Sequence, residues 1–210
     1  MSRAACRRVR ERGAVAVETA LVTPILLLFL FGIIEMSLLM KDTVAVTSAV
    51  RVAGRTASAN PGAGPGQQAG EECVDPCTPA KAPMLAQLAA NAVQRAGSAL
   101  PEDSIEELWV YKANNKGYPL PDDNEGWTCV TDCVRYRWVD SQDGFRFVSG
   151  TWLSSKINAC ANHPPDSVGI YIRASHDFVT GIFDSRDVED HAVFAFEPLP
   201  TLACGPDEHS

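Results

Sequence analysis

The chain has 210 residues, 46% of them hydrophobic, and carries 18 basic against 26 acidic side chains for a net charge of −8. Residues 1–13 hold five Arg and one Glu, so residues 14–210 carry 13 basic against 25 acidic groups, net −12. A surface of that sign repels nucleic acid and anionic lipid, and the length leaves room for one ordinary domain beyond a membrane segment.

The basic N-terminus, residues 1–13, runs directly into an apolar stretch. Between Ala20 and Leu39 the only charged residue is Glu35. Twenty residues at about 1.5 Å each reach the roughly 30 Å of a bilayer's hydrocarbon layer, so residues 14–40 are expected to form a transmembrane helix. Arg3, Arg7, Arg8, Arg10 and Arg12 precede it and only Lys41 follows at once. The excess of positive charge predicts a cytoplasmic N-terminus and an exported remainder. A cleavable secretory signal would have a shorter apolar core with small residues close behind it, whereas the first such text here, Ala45 to Ala49, lies well past the run.

Glu18 sits just inside the apolar stretch, where a carboxylate is costly and calls for a partner or for the headgroup level. Glu35, about 25 Å further along a helix, is expected at the outer interface, with water as its simplest neighbour and a protein partner as the alternative.

The text RGAVAVETALVTPILLLFLFGIIE joins several features: Arg12-Gly13, the small residues Ala14 to Ala16, the pair Val17-Glu18, Pro24 and the run Phe31 to Glu35. It resembles the TadE-like family of the tight-adherence (Flp) pilus system, within the wider type IV pilin-like class. Met36-Ser37 departs from the aromatic-Gly common there. The resemblance implies cleavage between Gly13 and Ala14 by a membrane prepilin peptidase. It also implies that Glu18 then pairs with the new amino group of Ala14 on a neighbouring subunit, and that Pro24 and Glu35 belong to the helix-packing surface. Near the C-terminus, AVFAFEPLP with Glu197-Pro198 resembles the closing strand of TadE-like and TadG-like proteins.

Residues 41–59 are expected to extend the helix, with Val44, Ala45, Ser48, Ala49, Val52 and Ala53 as its apolar stripe. Residues 60–70, NPGAGPGQQAG, predict a flexible linker. An exported α+β domain then occupies residues 71–204, followed by a tail at 205–210. Residues 82–100 predict a helix with Leu85, Leu88, Ala89, Ala92 and Val93 on one side. Strands are expected at 105–112, 134–139, 145–148, 168–174 and 192–196, forming a mostly antiparallel sheet with the turn Asp143-Gly144 before the third. Residues 114–117 and 119–126 read as turn-rich insertions, 154–161 as a short helix, and 176–190 as a loop with a helical turn at 178–183.

Cys6 falls in the leader, whereas Cys73, Cys77, Cys129, Cys133, Cys160 and Cys204 fall on the exported side. Six thiols in an oxidising compartment predict up to three disulfides, with the pairing open among fifteen possibilities. The two C-x-x-x-C pairs also admit a tetrahedral zinc, at a spacing wider than the usual knuckle and in the wrong compartment. No nucleophile, metalloprotease, phosphate-loop or dinucleotide motif is present. His163, His176, His191 and His209 have no convergent third group in sequence, and the acids Asp122, Asp123 and Glu125 lack the alternation of a calcium loop. The aromatics Trp109, Tyr111, Trp127, Tyr136, Trp138 and Trp152 fit sheet-face packing before a ligand groove.

These readings predict a membrane-anchored, non-enzymatic minor pseudopilin with no cofactor, whose partners are the bilayer, the prepilin peptidase and other pilus subunits. An uncleaved scaffold for pilus components is the first alternative. A membrane-tethered binding module or enzyme with a pilin-like anchor is the second.

Overall fold

The structure is a computed structural model that describes residues 4–66, 79–95, 101–121, 125–161, 164–181, 184–200 and 204. It is α+β. A long helix, α1 (Ala4–Ser58), is followed by a second helix, α2 (Met84–Arg95), and five strands: β1 (Ile105–Ala113), β2 (Cys133–Val139), β3 (Gly144–Thr151), β4 (Ser167–His176) and β5 (Arg186–Ala195). The strands form one sheet in the order β3-β2-β1-β4-β5, with every neighbouring pair antiparallel.

The chain divides into two compact units. One comprises Met1–Met40 and Phe178–Asp184; the other comprises Lys41–Asp177 and Ser185–Ser210. In the first, the side chains from Gly13 to Ile34 are all exposed, among them Leu21, Ile25, Leu28 and Phe29. In water such a surface has no counterpart on a soluble helix, which buries an apolar stripe and leaves the rest polar. Each of the three hydroxyl-bearing side chains between Gly13 and Met40 turns back on the helix. Thr19 donates to the Val15 carbonyl, Thr23 to Thr19 and Ser37 to Ile33, at 2.7–2.9 Å. That habit removes exposed donors from an otherwise apolar surface.

In the second unit, α1 from Lys41 onward buries Ala45, Val46, Ala49, Val50, Ala53 and Ala57. This corrects the expected stripe. The alanines at 45, 49 and 53 are inside as expected, but their buried companions are Val46 and Val50, while Val44 and Ser48 are exposed. Close approach decides the face: a Cβ added at Gly54 would fall 2.2 Å from the Phe194 ring of β5. Residues paired across neighbouring strands share a side of the sheet, so Phe194, Val168, Ile170, Ile172, Leu108, Val110, Val134 and Tyr136 line this inner face. All except Phe194 are fully or almost fully buried.

Residues 60–66 are not a free linker. The Gly66 amide donates to the Ala82 carbonyl, Met84 donates to Gly64, and Pro65 bridges Pro83, which fastens this segment to the start of α2. Residues 67–70 of the expected linker, and 96–100 of the expected helix, lie outside the described residues. The short helix expected at 154–161 shrinks to one 3-10 turn, Ser154–Lys156. Six of the fifteen residues of the loop expected at 176–190 are strand: β4 runs to His176 and β5 begins at Arg186. Between them, Phe178–Gly181 forms a turn, with the Gly181 amide directed to the Phe178 carbonyl and Gly181 at φ +64°.

Candidate assembly site on the long helix

Gly13, Ala14, Glu18 and Pro24 all lie on the continuous helix α1. Pro24 has no amide proton, so one carbonyl a turn earlier loses its usual donor within the helix. A side chain built at Gly13 would meet nothing within 4 Å. The Glu18 carboxylate is exposed on the apolar surface and has no hydrogen-bond or ion-pair partner among the described residues.

Glu35 behaves oppositely. Expected in water, it is 3% exposed. Its two carboxylate oxygens accept from consecutive backbone amides of the β4–β5 turn, Thr180 at 2.6 Å and Val179 at 3.2 Å. Two successive N–H groups pointing to one side form a small anion-binding nest, and a carboxylate is its natural occupant. Sequence reasoning missed this contact because its donors are backbone groups about 145 positions away. The available signal was Phe178 to Phe183, an uncharged run bracketed by Asp177 and Asp184.

Among the described residues two disulfides are formed, Cys129–Cys133 and Cys160–Cys204. The first corrects the zinc alternative for that pair, since a disulfide sulfur cannot also serve as a thiolate ligand. Cys73 and Cys77 lie outside the described residues, as do Asp122, Asp123, His163 and His209. Among the described residues no three His, Cys, Asp or Glu side chains gather where a metal could be held.

His176 is 4% exposed, and its Nδ1 lies 2.6 Å from an Asp42 carboxylate oxygen. This contact joins the end of β4 to α1 within the second unit. His191 packs against Trp127, with ring centroids 4.5 Å apart.

The outer face of the sheet gathers Trp109, Tyr111, Cys133 and Tyr171, with Trp127 packed over them. Trp127 stacks on Tyr171 at 4.9 Å and meets Tyr111 edge-on at 6.2 Å, while the Arg135 guanidinium lies 4.7 Å from the Trp109 ring centre. These aromatics fill the face by packing on one another. Burial pushes both the Tyr111 and the Tyr171 phenol well above the usual range, helped at Tyr111 by Tyr118 and at Tyr171 by its hydrogen bond to Glu189. Trp152, by contrast, is fully buried near Phe196, and Tyr136 and Trp138 pack edge-on against Phe147 and Phe145.

The exposed carboxylate at Glu18, the proline at 24 and the buried carboxylate at Glu35 therefore belong to one apolar helix with two differently satisfied charges. Residues 13–55 match the TadE-like protein family. The N-terminal segment of this chain is TadE-like. No curated protein and no solved structure matches the chain. The TadE-like match covers the apolar part of α1 and most of its continuation into the second unit, and ends before the linker, α2 and the sheet. A helix of this length and apolarity near the N-terminus is consistent with a membrane anchor or a signal. The family points to the Tad pilus machinery as the setting.

Proposed function

We propose that this chain is a membrane-anchored minor pseudopilin of a tight-adherence type pilus, acting by helix packing and not by catalysis. Residues 14–40 span the bilayer, the N-terminus is cytoplasmic, and the domain from Lys41 onward is exported. The observation that carries the reading is the contrast between the two carboxylates of α1. Glu35 is satisfied by its own chain, whereas Glu18, on the same apolar surface, finds no partner among the described residues.

A lone carboxylate in lipid costs a few kcal/mol near the bilayer centre and less towards the interface. An ammonium at Ala14 of a neighbouring subunit would neutralise it, and prepilin-type cleavage after Gly13 would create that ammonium. Pairing of this kind couples processing to assembly, because the uncut leader leaves position 14 with a neutral peptide nitrogen.

The test is the intact mass and N-terminal residue of the full chain, extracted from a membrane that contains its own machinery, with Gly13→Leu as control. A start at Ala14, lost in the control, supports the pseudopilin. A start at Met1 or Ser2 replaces it with an uncleaved scaffold, and a start beyond Met40 removes the anchor altogether. Gly13→Leu suits this purpose because nothing within 4 Å crowds the position.

A further inference from the structure

We propose that the β4–β5 turn is a second membrane contact, in which Phe178–Gly181 enters the outer leaflet beside the transmembrane helix and Glu35 holds it there. This inference rests on the anchor reading above. Glu35 lies inside the apolar run, six residues before Lys41, the first charge beyond it. At about 1.5 Å per residue the nest is therefore roughly 9 Å below that charge, within the ~5–10 Å depth of interfacial insertion.

At that depth neither partner can stand alone. A carboxylate there needs donors, and the backbone N–H groups of an irregular turn need acceptors that lipid cannot supply. The contacts from Thr180 and Val179 to Glu35 satisfy both at once.

The side chains agree with the backbone. Residues 178–183 carry no charge, and Asp177 and Asp184 stand at either end of them. Val179 is 76% exposed, in the same compact unit as the exposed Ile33, Met36 and Met40 of α1. The turn also groups with residues 1–40 and not with the sheet whose strands it connects. An apolar side chain presented outward beside a lipid-facing helix, on a turn whose amides are already occupied, fits hydrocarbon as its neighbour.

The experiment reconstitutes the full chain in phosphatidylethanolamine/phosphatidylglycerol vesicles, in a Cys6→Ser background, with an environment-sensitive fluorophore on Val179→Cys or, separately, on Leu28→Cys. Nitroxides are placed at shallow or deep positions on the lipid chains. Insertion predicts blue-shifted emission at 179 and at least twofold stronger quenching by the shallow nitroxide than by the deep one. It also predicts the reverse order at 28, and at least a twofold loss of quenching at 179 when Glu35→Ala is added. Deep quenching at 28 with water-like, unquenched emission at 179 overturns the insertion and leaves the anchor standing. Blue-shifted but unquenched emission at 179 means that protein covers the turn, which also overturns it. No quenching at 28 removes the anchor and the inference together.

Discussion

At the scale of single residues, Gly54 and Tyr171 each carry a sharp expectation. Alanine is favoured over glycine inside a helix by roughly 1 kcal/mol, so Gly54→Ala would stabilise a free helix. Here its Cβ falls 2.2 Å from the Phe194 ring, and overpacking of this kind costs about 1–3 kcal/mol. The substitution should destabilise the protein in urea, and a double-mutant cycle with Phe194→Ala should recover the helical gain. A cycle showing no coupling would mean that the two residues do not share the space.

Gly169 holds a comparable position on the outer face, where the Tyr111 ring lies across it. Tyr171 tests the same face by pH. Its phenol is raised in the folded state above the ordinary value of 10.0. Above about pH 10 the native state therefore holds a proton that the unfolded chain releases, and stability falls as pH rises through that range. Tyr171→Phe should flatten the fall without changing its direction, as read from denaturant midpoints between pH 9 and 11 on the order of half a unit apart.

At the scale of elements, legibility in the sequence followed how each segment meets solvent. The strands β1, β2 and β4 were readable because the sheet's centre is covered on both faces and selects aromatic and β-branched residues. β5 was only half readable. It is an edge strand, so Arg186, Asp187, Glu189 and Asp190 lie on a margin that tolerates charge and resembles a loop in composition. The apolar stripe of α1 after Lys41 was misplaced by part of a turn because small residues occur on more than one side, and only Phe194 shows which side is covered. Glu18 and Pro24 were visible as local text, whereas the nest at Glu35 was not, since backbone amides leave no signature in composition.

The disulfides give this scale its own measurement. Cys160–Cys204 spans 44 positions and Cys129–Cys133 spans 4. In chain-entropy terms the first is worth about 4 kcal/mol and the second about 2. Replacing both cysteines of the longer bridge by serine should lower the denaturant midpoint more than the same change at the shorter one. The longer bridge also secures the segment where Leu199 donates to the Ala159 carbonyl.

At the scale of the whole molecule, a pseudopilin role and a self-contained domain make different demands on Glu18. Glu18→Ala should leave thermal unfolding of the second unit unchanged, because residue 18 lies outside it. Incorporation into pili, measured in sheared fractions, should fall at least tenfold, about 1.4 kcal/mol or more of lost association. Undiminished incorporation would favour a tethered module whose anchor merely resembles a pilin.

The contact between Gly54 and Phe194, together with the hydrogen bond from the Glu197 amide to the Ser58 carbonyl, joins positions about 140 residues apart in the chain. During synthesis the buried face of α1 must therefore wait, uncovered, until about 140 further residues have been made. The alanines on that face leave little apolar area to expose during the wait, so this part of α1 is far less prone to stick to a wrong partner than the apolar part before Lys41.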